Sequence, residues 1–221
     1  MIFFNEKKIF FLLFVTLLIV PTVSAQTVNE GLPRFRIAVQ GGYGCRLGKY
    51  TETGSGLEDK HVKRLRNGVV YGADLIWFTS SNYGFGLKFS DIHSMSEDFA
   101  KAMAYFIMVP VSGEWRTVLD LRFLGPTYSF RHVAKNNHWI FLISGGLGYL
   151  SYDKNDLLFN SPWSVKGGTL GFCVDAGVDL RLMDSLYLGA SVNAIIGTLY
   201  TQEPHENLNH LSLNIGLRLY L

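Results

Sequence analysis

The chain closes on an unbroken alternation, LSLNIGLRLYL. Leu211, Leu213, Ile215, Leu217, Leu219 and Leu221 share one face of a strand, and Ser212, Asn214, Gly216, Arg218 and Tyr220 share the other. The same period of two recurs upstream. In residues 35–47, Phe35, Ile37, Val39, Tyr43, Cys45 and Leu47 oppose Arg36, Gln40, Gly42, Gly44 and Arg46. In residues 68–78, Val69, Tyr71, Ala73, Leu75 and Trp77 oppose Gly72 and Asp74. Further strands are predicted over 83–90, 119–131, 138–152, 165–181 and 186–197. Pro126 falls inside the fourth and predicts a bulge, because proline cannot donate to a ladder.

That makes eight strands joined by alternately long and short connections. The short ones are 79–82, 132–137 and 182–185; the long ones are 48–67, 91–118, 153–164 and 198–207. An even number of apolar-out, polar-in strands with turns at one end and loops at the other predicts an all-β, transmembrane, antiparallel up-and-down barrel with both termini periplasmic. Phe35, Trp77, Tyr83 and Trp139 mark one rim, and Tyr43, Tyr71, Phe89 and Tyr149 the other, as two aromatic girdles would. The apolar run 103–111 (MAYFIMVPV) would make a ninth strand. Parity and Pro110 place it instead in the second long loop, as an extension above the membrane.

The start of the chain fits export. Lys7 and Lys8 precede the apolar run 9–20, and Val23, Ser24 and Ala25 supply a cleavage site before Gln26, so residues 1–25 read as a secretory signal cut after Ala25 and 26–221 as the barrel domain. Losing Glu6, Lys7 and Lys8 takes the formal net charge from +2 to +1, which gives no electrostatic case for nucleic acid. The 23 glycines suit a crowded lumen. Cys45 and Cys173 lie on opposite faces, which argues against a disulfide, and the six histidines carry no metal-ligand spacing. No cofactor is expected.

The chain resembles the small eight-stranded outer-membrane barrels of OmpA/OmpX type, and most of all the outer-membrane β-barrel domain family common in the Bacteroidetes. The signal ending VSA-Q, the segments GFGLKFS and LGPTYSFR, and the closing strand carry the resemblance. The family's assembly signal is matched by Asn214, Gly216, Leu219 and Leu221, with a terminal Leu where many members have Phe. The resemblance implies an integral outer-membrane protein inserted by the barrel-assembly machinery, in contact with outer-membrane lipid; a monomer is expected. It implies no chemistry, because this fold hosts adhesins, enzymes, pores and anchors alike.

An eight-stranded barrel is just wide enough for side chains to fill. The charges expected inside are Arg36, Arg46, Lys88, Arg122, Arg181 and Arg218 against Asp74, Asp120, Asp175 and Asp179. Among them Arg36, Asp74, Asp179, Arg181 and Arg218 fall at similar depth and predict an ion-pair plug, with a selectivity constriction as the alternative. His210 and Ser212 sit two apart on one strand, as in lipid A deacylases of this architecture, but lack an orienting carboxylate. Asp175 and Asp179 are about 13 Å apart along a strand, beyond the spacing of a glycosidase pair. No catalytic site is therefore assigned. In the first long loop Lys60, Lys63, Arg64 and Arg66 form a basic cluster that suits the phosphates of lipopolysaccharide. The functional expectation is a non-enzymatic envelope barrel with a structural or interaction role. A small-solute or hydrophobic-compound channel is the alternative, and a lipid-modifying enzyme ranks below it.

Overall fold

The computed structural model describes residues 32–47, 56–104, 109–135, 138–159, 161–199 and 206–221. The segment read as a signal, with Ala25, lies outside them. Eight antiparallel strands close into one barrel: β1 (Phe35–Arg46), β2 (Asn67–Phe78), β3 (Tyr83–Ala104), β4 (Val109–Val133), β5 (Trp139–Leu158), β6 (Ser161–Arg181), β7 (Leu186–Ile196) and the last strand, β10 (His210–Tyr220). Two-residue strands β8 (Thr198–Leu199) and β9 (Glu206–Asn207) form a small hairpin between β7 and β10. A helix, α1 (Gly56–Leu65), lies between β1 and β2.

Alternation decides the faces. Ile37, Val39, Tyr43, Leu75, Trp77, Phe89, Leu213 and Ile215 are exposed on the outside, while Arg36, Gln40, Lys88, Asp175, Asn214 and Arg218 are buried inside. Both expected aromatic rows face outward. A closed sheet with this polarity leaves no edge and no unpaired backbone to lipid, and its apolar belt has no other stable solvent. The chain closes on itself where β1 meets β10, with Phe35 and Leu221 exchanging N–H···O bonds of 2.8 and 2.9 Å.

Two sequence expectations change here. Strands β3 to β6 run to 22, 25, 20 and 21 residues, against 11 or 12 for the other four. Residues 91–118 and 153–164, read as loops, are therefore mostly strand. They lift a four-stranded sheet roughly 30 Å beyond the barrel wall, at about 3.3 Å per residue. Of the apolar run 103–111, Met103 pairs Pro110, Ala104 pairs Val109 and Val111 pairs Ala102 in the first of these hairpins. The described residues thus extend β3 and β4, as expected, and add no ninth strand, while 105–108 lie outside the described residues. Pro126 makes no bulge. The β4–β5 ladder skips Gly125 and Pro126, yet Leu124 pairs Tyr149 above the gap and Thr127 pairs Gly146 below it, so no residue is inserted.

Holding that register fixes the odd-numbered residues of β4 inside. Leu119, Leu121 and Phe123 are buried, whereas Arg122 is exposed outside and pairs with Asp91 at 3.3 Å and Asp120 at 3.5 Å. Asp120 also meets His93 at 2.6 Å. Arg122 and Asp120 are thus not lumen charges. At this height on β3 to β5 the exterior has left the apolar belt, so charge turns outward and apolar side chains turn inward.

Candidate functional site

The lumen is layered. Nearest the short turns, Ile76, Phe78, Ile140, Leu142, Tyr187 and Tyr220 pack together, with Tyr187 and Tyr220 rings 4.6 Å apart. Arg131 lies over Phe78 with its guanidinium 3.8 Å from the ring centre, and donates to the carbonyls of Ser81 and Pro33, each at 2.7 Å. This arginine was missing from the sequence reading because the β4 register was misassigned.

Above that floor lies the charged layer. Arg36 Nε donates to Asp179 Oδ2 at 3.0 Å and its Nη1 bonds Asp74. Tyr220 donates to the same Asp179 oxygen at 2.7 Å, and Arg218 Nε stands 3.5 Å from Asp179 Oδ1, a charge contact longer than an ordinary hydrogen bond. Gln40 accepts from Arg218 at 2.9 Å and from Ser191 at 3.3 Å. Gly189 makes room for the group, since a Cβ there would meet Asp179 Oδ1 at 2.3 Å and Arg218 Nε at 2.7 Å. Four of the five predicted cluster residues meet. Arg181 does not: it closes β6 at the rim and pairs at 2.9 Å with Asp184 in the adjoining turn, because the strand ends before its side chain can reach the interior. Lys88 and Asp175 make a second buried pair at 2.7 Å.

The upper lumen holds an apolar cluster that includes Val70, Ile92, Leu121, Phe123, Leu150 and Ile195, with Ser94, Asn193, His210 and Ser212 also buried inside the wall. Leu65 from α1 joins this cluster, so the helix covers the mouth. The helix carries Lys63 and Arg64 in its last turn, where they complement its dipole. His61 and Leu65, four residues apart, share its buried face. His61 Nδ1 lies 3.0 Å from both Asp98 Oδ2 and Ser96 Oγ, and Nε2 lies 2.8 Å from Thr117 Oγ1, which also bonds Asp156. The ring stacks on Trp115 at 3.9 Å. Asp98, His61 and Thr117 follow the order of a catalytic relay, but Thr117 is 1 % exposed and its hydroxyl already serves Asp156, so it presents no nucleophile.

The basic cluster of the first long loop divides. Arg64 binds Asp98 Oδ1 and the Glu97 carbonyl, each at 3.0 Å, and Arg66 donates to the Arg46 carbonyl at 3.0 Å, while Lys60 and Lys63 stand exposed. His210 and Ser212 face the lumen, and His210 Nδ1 is held by the Leu208 carbonyl at 2.9 Å rather than by a carboxylate. In the closing strand Asn214 and Gly216 face the lumen, and Leu219 and Leu221 face outward. Cys45 and Cys173 are both free.

No family model and no curated protein matches this chain. Solved structures do. Neisserial surface protein A (NspA) superposes with a TM-score of 0.55 at 14% identity, covering 87% of this chain and all of that one. The outer membrane protein OprG from Pseudomonas aeruginosa gives 0.53 at 8% identity, covering 88% and 99%. At these identities the likeness is one of fold: a small antiparallel barrel of eight strands.

Proposed function

We propose that this chain is an integral outer-membrane barrel with both termini in the periplasm, closed along its axis, whose work is done by the sheet that β3 to β6 raise above the surface. The observation that carries this reading is the layering of the lumen. An aromatic floor, a charged layer and an apolar upper chamber succeed one another beneath α1, and each layer is made of buried side chains. Such an interior serves rigidity rather than passage. The elongated strands then make the barrel a support for an external surface, which fits adhesion, envelope integrity or host contact. Refolded protein in planar bilayers should show no unitary conductance. Reproducible channels would favour the second reading, a route for small or apolar solutes, for which the apolar upper lumen speaks.

The same reading gives Lys60 and Lys63, exposed on α1, to the phosphates of lipopolysaccharide; Arg64 and Arg66, exposed as well, are engaged with Asp98 and the Arg46 carbonyl. Charge reversal at both should lower the lipopolysaccharide that co-purifies; unchanged amounts would remove that contact. Asn214, Gly216, Leu219 and Leu221 serve in it as the assembly signal for the barrel-assembly machinery.

A further inference from the structure

The first loop does more than cross between strands. Its helix inserts Leu65 into the apolar upper lumen and buries a histidine, His61, among groups from three strands. From β3 come Ser96 and Asp98, from β4 Thr117 and the face of Trp115, and from β5 Asp156. The charges facing the ring are balanced without it. Asp98 is matched by Arg64 of α1 at 3.0 Å, and Asp156 by Lys154 of β5 at 3.0 Å. An uncharged imidazole therefore completes a neutral site. A proton added to it would leave an unmatched positive charge 1 % exposed beneath the helix, and burying such a charge is expensive.

We propose that α1 is a lid over the apolar upper lumen, held shut by uncharged His61 and released when acid protonates that ring. Burial pushes the His61 imidazole below its ordinary value, Asp98 and Asp156 oppose this, and Lys154 adds to it. The sign follows from the depressed docked state. Protons are taken up more readily with the helix undocked, so closure is fully present above about pH 6.5 and is lost as the pH falls below it. If the docked form takes up no proton, the undocked population rises by up to roughly thirtyfold between pH 7.5 and 5.0. Opening uncovers Val70, Leu119, Leu121 and Phe123, an apolar lining that water-filled loops would not provide.

Hydrogen exchange of the refolded barrel in lipid tests this, read as the protection factor of residues 56–66 against the intrinsic rate at each pH. Protection should fall by up to thirtyfold on going from pH 7.5 to 5.0, while β1 and β10 keep theirs. Protection that is constant, or that rises with acid, overturns the proposal. His61→Gln should be insensitive to pH over this range; an acid loss equal to that of the unaltered protein overturns the assignment to His61. If His61→Gln leaves the helix undocked at every pH, Lys154→Gln decides, since it leaves the helix contacts in place and removes a charge that resists protonation. A smaller acid loss in Lys154→Gln supports the lid, and an identical one refutes it.

Discussion

Asp179 is the residue on which the lumen's electrostatics turn. Its two oxygens receive Arg36 at 3.0 Å and Tyr220 at 2.7 Å and face Arg218 at 3.5 Å, with the side chain 2 % exposed. Asp179→Ala would leave Arg36 with Asp74 alone and Arg218 with the neutral Gln40, two guanidinium groups against one carboxylate inside a closed wall. Stranding a buried charge costs about 3–5 kcal/mol. Asp74→Ala should cost less, about 1.5–3 kcal/mol, because Arg36 keeps Asp179. The assay is urea titration of the barrel in lipid vesicles, scored by the gel shift between folded and heated protein. The slope should stay constant so that the midpoint reports stability. An Asp179→Ala loss under about 1 kcal/mol would show that water or lipid headgroups solvate the layer, and the plug would be wrong. A rise in conductance without loss of stability would make the layer a gate instead.

Two further outcomes follow from the same geometry. Arg181→Ala should leave the urea midpoint unchanged within error, because its partner Asp184 is fully exposed; a loss comparable to Asp179→Ala would return Arg181 to the cluster. Gly216→Ala should weaken the β1–β10 junction, since a Cβ there would meet the Val39 carbonyl at 2.1 Å and the Gln40 Cα at 2.6 Å, backbone that cannot yield cheaply. A loss of about 1–3 kcal/mol in folded protein is expected, and a wild-type midpoint would show that the strands separate without strain.

Where one solvent acts along the stretch being read, period two was enough to read this chain. β1, β2, β10 and the second half of β6 show the predicted faces, and through them Arg36, Asp74, Asp179 and Arg218 were placed in one layer. The reading failed where the solvent changes partway along. On β4 the membrane gives way to water near Leu124, so Arg122 and Asp120 turn out and Leu119, Leu121 and Phe123 turn in, and a rule of polar residues inside picks the wrong face. Length was hidden for the same reason: above the belt, β3 to β6 read as polar loop because their outer faces are hydrated. α1 was legible in principle. Leu57, His61 and Leu65 recur every four residues, with acids in the first turn and bases in the last, but the charge run drew attention to its exposed side.

The junction of the first and last strands also sets a clock. β1 finds its second neighbour only in β10, so Arg36 pairs Tyr220 across almost the whole chain, and Arg36 meets half of its charge partners only in the last third of the sequence. Loops of that length close late, and the contacts beyond them give no return until they do. Until β10 is delivered, an incomplete wall would hold Asp179 without Tyr220 and Arg218 and leave two open edges beside lipid, which the bilayer does not tolerate. Entry into the membrane is thereby tied to closure: until β10 pairs with β1, both edges must be covered by another chain or kept out of the hydrocarbon.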